Sequence, residues 1–174
     1  MEKVLDLKTV IRDVPDFPKE GIIFKDITTL LNNAEYFEAS IENIVDHFID
    51  TKIDYIAGIE SRGFIFGSAL AFKLGVGFVP IRKKGKLPHK TVEETYDLEY
   101  GKDTVCIHED AFPKGANVLL VDDLLATGGT AAASVKLLEK VGAKIAGIAF
   151  VIELKFLNGR EKLGKYDIFS QVEY

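Results

Sequence analysis

Residues Val118–Thr130 read VLLVDDLLATGGT. Four apolar residues, an acidic pair, a short spacer and a glycine turn flanked by threonines follow one another without a break. The run Val118–Val121 predicts a strand covered on both faces, because it is apolar at every position. Asp122 and Asp123 then fall at the carboxyl end of that strand, where parallel sheets bind their ligands. Leu124 to Gly128 predicts a loop, and Gly129–Thr130 the start of a helix. Glycines let the main chain approach an anion closely, and a helix start offers it free N–H groups. Ala126, Thr127, Gly128, Gly129 and Thr130 are therefore candidates for a phosphate cradle, with the two threonines adding hydroxyl donors. A carboxylate pair beside a phosphate suits vicinal hydroxyls or an oxygen-coordinated divalent cation. Phosphate at one end and hydroxyls at the other describe a ribose 5-phosphate. An acidic pair that merely caps a helix would account for DD, but not for the whole run. No lysine follows the second glycine and no GxGxxG is present here, so neither a Walker loop nor a dinucleotide fingerprint is in play.

Outward from this motif, apolar runs and helical patterns alternate. Tyr55–Ile59 predicts a strand, Gly63–Leu74 a helix ended by Gly75, and Val76–Ile81 a second strand. A helix from about Gly129 to Val141 is stopped by Gly142 and followed by a strand over Lys144–Ile152. Buried strands separated by helices imply an α/β fold, a parallel sheet flanked by helices. Earlier in the chain, Phe37, Ile41, Ile44, Val45, Phe48 and Ile49 share one face of a helix over about Ala34–Asp50. Pro15, Pro18 and Gly21 argue against regular structure in the segment before it. Residues 82–101 are polar with little core-forming periodicity, which predicts a functional flap.

The chain of 174 residues is expected to form a single domain, 1–174, with a formal net charge of −5 that disfavours non-specific nucleic-acid binding. Its one cysteine, Cys106, permits a reducing compartment and reads as a passive, part-buried residue. The charged amino terminus lacks the core of a signal peptide, and no apolar run reaches the ~20 residues of a membrane helix. A cytoplasmic protein without membrane partners is expected.

Three further groups carry chemistry. Glu60-Ser61-Arg62-Gly63 closes the strand Tyr55–Ile59, so Ser61 and Arg62 face the same crevice, and the planar fork of Arg62 matches phosphate oxygens. Arg82-Lys83-Lys84-Gly85-Lys86 is a dense basic run at the end of another strand; a solvated surface is the plain alternative. Phe24, in GIIFKD, is either a packing residue or a ring stacked on a base.

VLLVDDLLATGGT resembles the phosphoribosyl pyrophosphate motif of the type I phosphoribosyltransferases, in the form carried by the adenine-using members. The similarity extends over nearly the whole chain, through FPKEGIIFKDITTLL, GIESRGFIFG, VPIRKKGKLP, YDLEYG and GREKLGKYDIFSQVEY. The resemblance implies transfer of phosphoribose from 5-phospho-α-D-ribose 1-diphosphate to adenine, giving AMP and diphosphate in purine salvage. It implies a small N-terminal hood (1–33) over the base and a flexible flap (82–101). Asp122 and Asp123 would hold the ribose hydroxyls; Ser61, Arg62, Arg82, Lys83, Lys86 and His89 would reach the diphosphate. Glu99 in LEYG would act near the reacting centre, and Ile23, Phe24, Lys25 and Leu154 would surround adenine. Mg²⁺ would bind mainly through the substrate, with no direct protein ligand, and the chain would form a homodimer. A non-proline cis peptide is expected between Glu60 and Ser61. Xanthine or hypoxanthine as acceptor, or a regulatory module of the same fold, are the alternatives.

Overall fold

In a computed structural model describing residues 5–98 and 100–174, the opening motif lies at the middle of the sheet. The described residues form nine strands, in chain order β1 (Arg12–Pro15), β2 (Ile23–Asp26), β3 (Tyr55–Ile59), β4 (Gly77–Lys83), β5 (Thr91–Asp97), β6 (Lys102–His108), β7 (Asn117–Leu125), β8 (Lys144–Glu153) and β9 (Ile168–Glu173). The helices are α1 (Thr28–Leu31), α2 (Ala34–His47), α3 (Gly63–Leu74) and α4 (Gly129–Lys140). Seven strands make one sheet, in the order β5-β6-β4-β3-β7-β8-β9. The strands from β4 through β9 in that order are parallel, whereas β6 and β5 run antiparallel at one edge.

The apolar run works as its composition predicts. Val118 and Leu120 enter the core on one side of the sheet with Val135 and Leu138 of α4. Leu119 and Val121 enter the core on the other side with Ile41 and Ile44 of α2 and Phe66 and Leu70 of α3. All four strand residues are inaccessible to solvent, and each such burial stabilises the fold by about 1.5–3 kcal/mol. Helix α3 has the predicted bounds and ends at Gly75, whose φ of 66° is the left-handed stop. Cys106 is fully buried on β6.

Several expectations are corrected. Strand β7 does not stop at Val121: Leu124 and Leu125 still pair with Ile152 and Glu153, because β8 continues alongside. The acidic pair therefore sits within the strand, and the loop is only Ala126–Gly128. Strand β4 likewise runs on to include Arg82 and Lys83. Helix α2 ends at His47 rather than Asp50.

The proline-rich segment is only partly irregular: β1 and β2 pair as an antiparallel hairpin, while residues 16–22 between them, with Pro18 and Gly21, form no regular element. Pro15 is tolerated at the end of a two-stranded ribbon. Opposite charges face each other across the ribbon, Arg12 against Asp26 at 2.5 Å and Lys25 against Asp13 at 2.6 Å. Residues 82–101 are not a bare loop either, because β5 and β6 form a hairpin that extends the sheet. Its inward positions alternate as Val92, Glu94 and Tyr96. The polar partners hide the period: Glu94 points inward and pairs with Lys140 of α4.

Candidate active site

Strand β7 delivers Asp122 and Asp123 to the carboxyl edge of the parallel strands, beside the start of α3. A side chain at Gly63 would lie 2.9 Å from both Asp122 Oδ1 and the Val121 carbonyl, so only glycine lets α3 begin this close to the acidic pair. Asp123 is buried. Its Oδ2 receives the Arg62 Nε–H at 2.5 Å, and its N–H donates to Asp122 Oδ1 at 2.9 Å. Burial, reinforced by the charge of Asp123, pushes the Asp122 carboxyl well above the usual carboxylate range. The pair thus combines a buried carboxyl group bonded to Arg62 with a neighbour that resists ionisation.

The loop after β7 turns on Gly128, at φ 79°. A Cβ there would collide with the carbonyl of Gly159. The first helical bond of α4 runs from Ala132 N–H to Gly128 O. The N–H groups of Gly129, Thr130 and Ala131 thus precede any helical partner and are available to an anion. A concave site lined by residues 126–131 and Asp122 results. Beside it, a cleft of about 460 Å³ separates Tyr96, Asp97 and Leu98 of the hairpin from Thr127, Gly129, Thr130 and Lys162.

The basic residues are held by acidic ones. Glu60 accepts Arg82 Nε–H and Nη2–H at 3.2 Å each and the Lys83 N–H at 2.9 Å. Burial opposes ionisation of Glu60, but these donors outweigh it and keep the carboxyl below its ordinary value. Arg82 also donates to the Lys86 carbonyl at 3.2 Å, and Lys86 forms no ion pair among the described residues. The Glu60–Ser61 bond is cis, as expected.

In the hood, Phe24 packs edge-on against Phe17 at 5.3 Å, and the Arg62 guanidinium carbon lies 5.6 Å from its ring centre. Ile23 is exposed. Lys25 is committed to Asp13 and to the Tyr174 ring, 3.8 Å away. Leu154 follows β8 and gives its N–H to the Leu125 carbonyl at 2.9 Å, next to the phosphate-type loop.

Arg62, Asp122, Asp123, Phe24 and residues 126–130 are thereby brought together, with Arg82, Lys83 and Ser61 on the adjoining strand ends. His89 is not brought to them. It stands at the base of the hairpin, where its N–H meets His108 Nε2 at 3.3 Å and its ring faces Asp110 at 3.8 Å. Glu99 lies outside the described residues.

Two features escaped the sequence reading. Tyr96 reaches from β5 to Thr130, with 3.0 Å between the hydroxyls; the alternation Val92-Glu94-Tyr96 was the available signal. Gly159 backs Gly128 and is positioned by Arg160, which bonds buried Glu153 through Nε at 3.1 Å and Nη2 at 2.5 Å. Arg160 also donates to the Ile168 carbonyl at 2.9 Å. The glycine–arginine step after a strand was its only trace.

A mostly parallel sheet covered on both faces, with a glycine loop and an acidic pair at the carboxyl end of its central strand, fits one class of protein: the chain belongs to the phosphoribosyl transferase family, whose domain model matches residues 26–172. Within that family its relatives are adenine phosphoribosyltransferases. The one from Brachyspira hyodysenteriae is 55% identical over 98% of this chain and 100% of its own length. The solved adenine phosphoribosyltransferase of Thermoanaerobacter pseudethanolicus is 52% identical, covers 99% of this chain and 100% of its own, and superposes with a TM-score of 0.95. The Saccharomyces cerevisiae enzyme, solved with an imino-altritol bisphosphate and adenine, is 45% identical over 97% of each chain, with a TM-score of 0.91.

Proposed function

We propose that the protein transfers the 5-phosphoribosyl group of 5-phospho-α-D-ribose 1-diphosphate to adenine, forming AMP and diphosphate in purine salvage. The observation that supports this reading best is a glycine loop with free N–H groups that follows, on the same strand, an acidic pair whose Asp123 is buried and bonded to Arg62. The 5-phosphate would take the free N–H groups at residues 126–130 and the hydroxyls of Thr127 and Thr130. Asp122 and Asp123 would accept hydrogen bonds from the ribose 2- and 3-hydroxyls. Binding of diphosphate would draw Arg62 off Asp123, with Ser61, Arg82, Lys83 and Lys86 around the same anion. His89 is left out of this group.

As the bond from the anomeric carbon to the diphosphate oxygen breaks, positive charge grows on the ribose, and the adjacent carboxylate stabilises it. A ring nitrogen of adenine forms the new bond to that carbon and gives up its proton, for which Glu99 is the proposed acceptor. The described residues hold no group of three His, Cys, Asp or Glu placed to cage a metal. Mg²⁺, an oxygen-seeking cation that keeps several waters and substrate phosphates as ligands, would bind mainly through the substrate, with Asp122 and Asp123 acting on it through the ribose hydroxyls they hold. When bound, it would neutralise charge on the departing diphosphate.

In the hood, β2 pairs only with β1 among the described residues. Strand alternation puts the main-chain groups of Ile23 and Lys25 on one edge and those of Phe24 on the other. Pro15, opposite Ile23, has no N–H to give, which favours the open edge for Ile23 and Lys25. They would read the edge of adenine there, while Phe24 and Leu154 cover its faces. Residues 82–101, which include β5, would act as the flap and exclude water. The family resemblance also carries a homodimer and a cytoplasmic setting. Incubating the protein with adenine, the sugar diphosphate and Mg²⁺ should yield AMP and diphosphate in equal amounts; no AMP would overturn the reading.

A further inference from the structure

The hairpin does more than border the cleft. The Tyr96 phenol is shared by three groups: Thr130 Oγ1 at 3.0 Å, Asp103 Oδ2 at 3.2 Å and Lys83 Nζ at 3.2 Å. The Lys83 ammonium also rests on Asp103, whose other oxygen accepts the Thr104 N–H at 2.8 Å. Thr130 belongs to the proposed 5-phosphate cradle and Lys83 to the proposed diphosphate group. One tyrosine therefore joins the two ends of the site.

The protons in this network are limited. A lysine ammonium only donates, a carboxylate only accepts, and a phenol has one proton to give. Lys83 donates to Asp103 and Tyr96, and Tyr96 donates to Asp103. Thr130 must then give its own proton to Tyr96. A bound 5-phosphate takes the Thr130 proton, so Tyr96 keeps its bond to Thr130 Oγ1 only by turning its own proton there, and Asp103 is then left with Lys83 as its side-chain donor. A bound diphosphate instead draws Lys83 away and leaves Asp103 dependent on Tyr96. One phenolic proton cannot meet both demands.

We propose that Tyr96 is a positioning residue that makes the 5-phosphate and diphosphate subsites antagonistic, each weakening the other when both are filled. The inference rests on the sugar-diphosphate reading of the site. In the intact substrate both anions are tethered and the tension is held. Once the bond between them is broken, the tension favours departure of diphosphate while the phosphoribosyl product stays in its cradle.

Calorimetry with Mg²⁺ and inorganic diphosphate, with and without saturating ribose 5-phosphate, tests this. Ribose 5-phosphate should weaken diphosphate binding to the wild type. In Tyr96→Phe that antagonism should shrink by about fivefold or more, the scale of a real coupling between sites. Asp103→Leu, which removes the competing acceptor altogether, should shrink it likewise and serves if the first variant does not fold. Plain charge repulsion between the anions would persist in both variants, and a purely structural loss would weaken each fragment without changing their ratio. Equal antagonism in the wild type and both variants, or none in the wild type, would overturn the proposal. If neither fragment binds the wild type, the site reading itself fails.

Discussion

Arg62 Nε lies 2.5 Å from Asp123 Oδ2, so the residue proposed for the diphosphate is bonded to a residue proposed for the ribose. The carboxylate is buried while the guanidinium remains about half exposed, which leaves the arginine free to leave and the acid fixed. Replacing Asp122 and Asp123 together by Asn should lower kcat/KM for the sugar diphosphate by roughly 10- to 10³-fold, because the amide oxygens still accept but the negative charge that strengthens the bonds is lost. Steady-state kinetics alongside circular dichroism would check this; a folded double variant with wild-type kinetics removes the ribose assignment.

Asp122 should cost the protein stability at neutral pH. Burial and the neighbouring carboxylate raise its folded value, so the folded chain binds this proton more tightly than the unfolded chain does. Its favourable contribution is complete below the unfolded aspartate value of about 3.9 and disappears as pH rises through the folded value. Asp122→Asn should therefore melt higher than the wild type at pH 7.5, by about 2–4 °C for each kcal/mol relieved. The two should converge near the unfolded aspartate value. A lower melting temperature for the variant at pH 7.5 would show that Asp122 is not strained.

Gly128→Ala meets two penalties, a left-handed φ and the Gly159 carbonyl. It should destabilise the fold by about 1–3 kcal/mol and raise KM for the sugar diphosphate by roughly tenfold or more, the loss of one hydrogen bond to a charged group. Gly115 has a similar φ of 86° with open space around it. Gly115→Ala should share the backbone strain and keep its kinetics. Equal kinetic loss in both variants would detach the effect from the Gly128–Gly159 contact.

Glu99→Gln should lower kcat more than it changes KM, because the residue is assigned to proton transfer rather than to ground-state binding. An unchanged kcat in rapid-mixing and steady-state measurements takes Glu99 out of the chemistry.

The parallel core was legible because Val118–Val121, Tyr55–Ile59 and Lys144–Ile152 are apolar enough to announce strands covered on both faces. The hairpins were not. In β5 the inward positions are shared by Glu94 and Tyr96, whose partners Lys140 and Thr130 lie far away in sequence. In β1 and β2 the pairing is held by cross-strand charges, which leave no apolar period. The phosphate-type loop was readable from ATGGT, since glycine is there for main-chain reasons that sequence displays. Its support by Gly159 was not, because that depends on a turn arriving from the far end of the chain. Basic residues were legible as a group but not by partner: Arg82 is bound to Glu60, and His89 stands with His108 and Asp110.

The most direct test of the whole account is the acceptor. Initial rates with the sugar diphosphate, Mg²⁺ and each of adenine, hypoxanthine, guanine and xanthine would be measured on the intact protein. A hood that reads the base edge through main-chain groups should favour adenine by about a hundredfold or more in kcat/KM, since a mismatched base leaves buried polar groups unpaired. Comparable efficiency with hypoxanthine, guanine or xanthine would contradict it.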